Sequence, residues 1–321
     1  MKNFWTSLPR PFIVGAPMDD VTDVAFRTVI ARHGKPHVTF TEFTSADGLV
    51  RAPEEGQRKL RSKLRFTDIE RPIVAQLFSS VPEYMEEAAR IVESLGFDGI
   101  DINMGCPVDA VNKQGCGAAL IKNPPLAREI IRAAQRGAPS IPVSVKTRIG
   151  WNEDTLEAWA GELLKENIAV LTIHARTRKE MSKVPARWEA VARTVALRDR
   201  LGVPTLIVGN GDVKNVAEAK QRAAETHCDG VMIGRGMFGN PWYGTDYEAT
   251  PREKIEALIE HVELYDMHFK DIKSFALMKK HFGSYISGWN NASTLRTALM
   301  GVETAEESLF ILKAARDTMS A

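Results

Sequence analysis

The stretch PVSVKTRIGWNEDTLEAWAGELLKENIAVLTIHAR, residues 142–176, contains one complete unit of the architecture. It opens on Pro142–Thr147, which predicts a strand, and several of the chain's strand candidates are apolar on both faces, as strands in a covered parallel sheet are. The amphipathic segment Thr155–Glu166 predicts a helix, and the apolar run Val170–Ala175 predicts the next strand. Both strands finish on residues that packing does not require, Lys146-Thr-Arg148 and His174-Ala-Arg176.

The same alternation runs outward in both directions. Strands are predicted at Phe12–Met18, Val38–Thr44, Ile73–Phe78, Gly99–Asn103, Thr205–Gly209 and Gly230–Gly234. Pro82–Leu95, Leu126–Arg136 and Val213–Thr226 predict helices between them. Eight such units in about 240 residues fit a (β/α)8 barrel. A doubly wound open sheet is the alternative, but Ala16-Pro-Met-Asp-Asp is not the Gly-rich turn that usually follows its first strand. From residue 243 the pattern changes to helices alone, at Ile255–Phe269, Ser274–Ile286, Ala292–Met300 and Glu306–Thr318. The expected organisation is a TIM barrel over 1–242 and a small helical bundle over 243–321.

Composition excludes several classes. Of 321 residues 44% are hydrophobic and 26% charged, which fits a globular chain and not a disordered one. No apolar run reaches the roughly 18 residues of a membrane helix, and the first residues lack the apolar centre of a signal peptide. Three cysteines without a CxxC pair suggest neither a disulfide framework nor a zinc site. A cytoplasmic, metal-free monomer is expected. A formal net charge of +1 gives no general attraction to nucleic acid, so any RNA must be held by local patches. One such patch is the basic run from Arg51 to Arg65, and another lies between Lys270 and Arg296.

In a (β/α)8 barrel the reactive groups stand at the C-terminal strand ends. There the sequence places Gln76, Asn103, Cys106, Lys146, Arg148, His174 and Arg176. The turns Gly209-Asn-Gly-Asp212 and Gly234-Arg235-Gly follow the seventh and eighth strands, where many barrels grip a phosphate through backbone N–H groups. Lys146 inside the barrel needs an anionic partner, a reduced flavin or a structural carboxylate, and a Schiff-base aldolase is the competing use of such a lysine. The Gly-Cys106-Pro turn raises a thiol into the mouth, as a general acid or a thiolate. Cys116 and Cys228 read as structural.

Taken together and in order, these motifs resemble the tRNA-dihydrouridine synthases. The segments that carry the resemblance are Ala-Pro-Met-Asp-Asp-Val-Thr-Asp (16–23), Ile-Val-Ala-Gln-Leu (73–77), Ile-Asn-Met-Gly-Cys-Pro (102–107) and Lys-Gln-Gly-Cys-Gly-Ala-Ala-Leu (113–120). Val-Lys-Thr-Arg-Ile-Gly (145–150), Ile-His-Ala-Arg-Thr (173–177), Gly-Asn-Gly-Asp (209–212) and Met-Ile-Gly-Arg-Gly (232–236) complete the set. The resemblance implies FMN in the barrel mouth, NADPH as reductant and tRNA as substrate. It implies that Pro17, Met18 and Asp19 pass the flavin ring, and that Gln76, Lys146 and His174 contact it. Asn210, Gly211, Asp212, Gly234 and Arg235 would grip its phosphate. Asn103, Lys113, Arg148 and Arg176 would lie on the substrate side, with Arg296 on the tRNA-facing helices. It implies hydride transfer from flavin N5 to C6 of a flipped-out uracil, with Cys106 giving a proton to C5. Asp19-Asp20, where the family commonly has Ala-Gly, and Ala175, where glycine is frequent, bear on which uridine is modified. Three other readings remain: a small-molecule FMN oxidoreductase of the dihydroorotate dehydrogenase type, an RNA-binding module without catalysis, and the aldolase.

Overall fold

The computed structural model describes residues 3–245 and 247–319, so the expected outer bounds at 1 and 321 lie outside the described residues. Nine strands form one parallel sheet: β1 (Phe12–Gly15), β2 (Thr39–Phe40), β3 (Thr44–Ser45), β4 (Ile73–Phe78), β5 (Gly99–Met104), β6 (Val143–Arg148), β7 (Val170–His174), β8 (Leu206–Asn210) and β9 (Gly230–Ile233). Their order is β1-β9-β8-β7-β6-β5-β4-β2, with β3 also on β4. A parallel bridge between Val14 and Val38 closes the ring. The result is a (β/α)8 barrel.

The predicted second strand, Val38–Thr44, is in fact split into β2 and β3. Phe40 pairs with Val74 and Thr44 with Leu77, so four steps on one strand oppose three on the other. That single extra residue is a bulge. It carries Glu42, fully buried, out of the ladder and towards the loop after β1. The first strand also stops short of the predicted Met18. Ala16 still donates to the Ile233 carbonyl, but Pro17 has no N–H, and Met18 begins a turn whose carbonyl accepts from Val21 and Thr22.

Strand alternation sorts the barrel interior. Ile100, Ile102, Val143, Val145, Leu171 and Ile173 face outward to the helices. Phe12, Val14, Val74, Val170, Leu206, Val208 and Met232 face inward and fill the lower barrel, with Trp5 packed among them. The inward positions nearer the C-terminal strand ends are polar: Gln76, Asp101, Asn103, Ser144, Lys146, Thr172, His174 and Asn210. Period two therefore builds an apolar floor beneath a polar chamber.

Beyond β9 the described residues contain no strand. Helices at Pro251–Phe269, Lys279–Tyr285, Ala292–Gly301 and Ala305–Asp317 share one core built on Leu258, Val262, Phe269, Phe282, Leu299 and Leu312. Thr250 and Glu253 start the first of them with a reciprocal capping box. The predicted helix Ser274–Ile286 is a 3-10 turn, Phe275–Met278, running into a shorter helix. Val24, Ala25 and Val29 of the barrel helix Val24–His33 belong to this same C-terminal core, while Phe26 and Ile30 face the barrel. That helix is thus buried from both sides.

Candidate active site

A cleft of about 600 Å³ opens at the C-terminal strand ends. Pro17, Met18, Lys146, His174, Asn210, Gly211, Asp212, Gly234 and Arg235 all line it. Sequence reading gathered these nine from five separate segments, and the fold brings them to one wall-to-wall site.

The cleft lining is rich in cations, with Lys146, Arg176, Lys214 and Arg235 among its residues. Among the described residues the Lys146 ammonium has no ion-pair or hydrogen-bond partner, and it lines the cleft. Burial, and then the Arg148 guanidinium, lower its pKa to about 8. Asp101 is the carboxylate that opposes this fall, but its own oxygens are engaged by Ser144 Oγ at 2.7 Å and Gln76 Nε2 at 2.8 Å. Burial raises Asp101 to about 6.

Part of the cleft lining is a backbone cradle. Gly211 (φ 136°) and Asp212 (φ 58°) turn the chain after β8. Among the described residues, the N–H groups of Gly211, Asp212 and Gly234 donate to no protein acceptor. A Cβ on Gly211 would come within 2.7 Å of the Ala186 Cβ, and the Gly211 carbonyl accepts from the buried Trp188 indole at 3.0 Å. The Asp212 carboxylate does not face an anion directly. It pairs with Arg176 and, at 2.6 Å, with Arg235.

A hydrogen-bond chain fixes the cysteine turn. Gln76 Oε1 accepts from Asn103 Nδ2 at 3.1 Å, and Asn103 Oδ1 accepts from the N–H groups of Gly105 (3.1 Å) and Cys106 (2.9 Å). Arg148, 5% exposed, donates to the carbonyls of Gly105, Thr177 and Met181. Burial pushes the Cys106 thiol up, opposed by the Val108 N–H, Arg148 and Lys146. A thiol raised in this way is protonated at neutral pH. Gln76, Asn103, Cys106 and Arg148 form this supporting layer and do not line the cleft.

Three expected residues stand elsewhere. Asp19 is drawn away by Lys63 at 2.5 Å and does not line the cleft. Lys113 is exposed on the loop after β5. Arg296 lines a separate basic groove with Lys279 and Lys280. Asp19, Asp20 and Glu42 bring carboxylate oxygens within 4.8 Å of one another. Lys63 and Lys273 already supply the balancing charge, Lys273 at 3.0 Å from Glu42. Sequence reading missed Asp101, although its inward parity with Asn103 signalled it, and it missed Ser182 and Lys214, which line the cleft from loops.

Comparison with known proteins decides the family. The model of the dihydrouridine synthase (Dus) family matches residues 14–320. The chain belongs to the dihydrouridine synthase family. Relatives in it include a probable tRNA-dihydrouridine synthase of Staphylococcus aureus (strain COL), 41% identical over 315 residues, covering 97% of this chain and 95% of that one. The probable tRNA-dihydrouridine synthase 2 of Bacillus subtilis (strain 168) is 41% identical over 313 residues, 95% of this chain and 94% of its own. Among solved structures, histamine dehydrogenase from Rhizobium sp. 4-9 superposes with a TM-score of 0.53 at 12% identity, over 78% of this chain and 48% of its own. A 2-naphthoyl-CoA reductase complex superposes with a TM-score of 0.54 at 13% identity, over 72% of this chain and 49% of its own. At such identities the likeness shows the barrel alone. As a dihydrouridine synthase the chain is an enzyme, and no described helix is long and apolar enough to cross a membrane.

Proposed function

We propose that this chain reduces the C5–C6 bond of specific tRNA uridines to dihydrouridine, with FMN in the cleft, NADPH as reductant and Cys106 as proton donor. The observation that carries the reading is the cleft's charge pattern. A half-buried ammonium, Lys146, without an ion-pair or hydrogen-bond partner among the described residues, lines the cleft together with Arg235 and backbone N–H groups that donate to no described acceptor. That pattern suits an elongated ligand with an electron-rich ring and a terminal phosphate. A volume of about 600 Å³ is within the usual range for a cofactor pocket.

FMN bound there would supply the hydride for C6 of the uracil. The protein's share is placement and proton delivery. Lys146 would sit against the ring where negative charge gathers, and Gly211, Asp212 and Gly234 would present N–H groups to the phosphate. Asn103 and Arg148 hold the Cys106 turn from both sides. The thiol is kept protonated by burial, and the thiolate left after proton transfer would be stabilised by the neighbouring Arg148 and Lys146 charges. We assign the barrel, 1–242, to cofactor and chemistry, and 243–321 to tRNA, with the protein acting as a cytoplasmic monomer.

The test is direct. Purified protein should be yellow and release FMN, and should oxidise NADPH when given unmodified tRNA. Turnover of free pyrimidines with inert tRNA would overturn the reading in favour of a small-molecule oxidoreductase. Mapping dihydrouridine in tRNA from a deletion strain would identify the uridine.

A further inference from the structure

His174 ends β7 and lines the cleft, and one of its ring nitrogens has a partner that settles the other. Arg176 Nη1 lies 3.1 Å from His174 Nε2. A guanidinium can only donate, so Nε2 must carry the lone pair and the proton of the neutral ring must sit on Nδ1. Among the described residues Nδ1 has no protein partner, and the ring borders the cleft.

The arginine is itself immobilised. Its side chain is 3% exposed, Nε donates to the Val184 carbonyl at 2.6 Å, and Nη2 pairs with Asp212. Asp212 is fixed in turn by the Ala186 N–H at 2.9 Å and by Arg235. The groups acting on the imidazole are Lys146 and Arg148 from β6, Arg176 beside it and Arg235 after β9, all cationic, with Asp212 already shared between two of them. Burial and these four charges hold the ring neutral.

We propose that Arg176 is a positioning residue: backed by Asp212, it locks His174 as the Nδ1–H tautomer, so that the ring offers the cleft a fixed neutral donor. Arg176 then works on the cofactor side of the mouth, not on the RNA side where the family resemblance had placed it. The lock is a property of the protein alone. Its use, donation to an acceptor on the isoalloxazine, rests on the flavin reading above.

The experiment is long-range 1H–15N correlation of the histidine rings in 15N-labelled protein, with and without FMN, the His174 signals being assigned by their loss in His174→Asn. Wild-type protein should show a protonated Nδ1 and a bare Nε2 at His174, unchanged across about pH 6 to 8. Arg176→Met should give mixed or reversed tautomers and weaken FMN binding on the order of tenfold, the loss of one hydrogen bond. Arg176→Lys, which still donates, should restore the wild-type pattern. A protonated Nε2 in wild-type protein would overturn the proposal, and this holds even if Arg176→Met does not fold. An unchanged tautomer in folded Arg176→Met would overturn it too. A protein with the expected tautomer that binds no FMN would refute the flavin reading and leave the lock standing.

Discussion

The side-chain oxygen of Asn103 accepts the backbone N–H of Cys106 at 2.9 Å, and so ties the end of β5 to the cysteine turn. The same oxygen holds Gly105, and the Asn103 amide donates back to Gln76. Asn103→Ala would free two buried N–H groups and the Gln76 carbonyl. We predict a loss of about 1–3 kcal/mol in unfolding free energy and slower oxidation of reduced flavin by tRNA, with flavin still bound. Chemical denaturation and single-turnover spectroscopy check the two parts separately.

Cys106→Ala should leave the protein yellow and stable, because the residue packs in a small cluster with Val111 and Cys116 and holds its turn through the backbone. Reduction of tRNA should fall by about 10²–10⁴-fold, the usual contribution of a general acid. Stopped-flow oxidation of pre-reduced enzyme by tRNA measures it; an undiminished rate would remove the thiol from the reaction.

Lys146 gives a pH prediction with a definite sign. Its folded pKa is about 8 against an ordinary 10.5, so between those values the unfolded chain binds more protons than the folded one. Stability therefore rises with pH through that window, and the cost of burying the charged ammonium is fully present below about pH 8. Cofactor-free protein should become more stable relative to Lys146→Met as pH climbs from 8 towards 10.5, and bound FMN should flatten the difference. Urea unfolding of both proteins across this range checks it, and parallel curves would mean the ammonium is not buried as described.

Arg296 and Lys280 should act on RNA without touching the flavin. Both line the groove between Lys279–Tyr285 and Ala292–Gly301, whose lining has three basic side chains and no carboxylate. Arg296→Ala should weaken tRNA binding and reduce the slope of log affinity against log salt by roughly one, as expected for one lost phosphate contact. Filter binding at several salt concentrations, beside flavin content, separates this from general damage. Deleting 243–321 is a poorer test, because it would uncover Val24, Ala25 and Val29 on the barrel helix. The truncated barrel is expected to aggregate.

Sequence alone determined the barrel and the floor of its site. Strands covered on both faces and helices between them are local patterns, and period two fixes which side chains point inward. The inward direction of Gln76, Asn103, Lys146, His174 and Asn210 therefore follows from their positions in single runs, and so does that of Asp101. What only the tertiary structure decided lies in the loops. Arg176 meets Asp212 across 36 residues, Lys273 meets Glu42 across 231, and Lys63 takes Asp19 from the cleft. The bulge at Thr41–Phe43, which aims Glu42, exists only relative to β4. Inward or outward direction is a property of one strand, but the partner of a charge at the barrel mouth depends on which loops meet once the ring has closed, and no local pattern encodes that meeting.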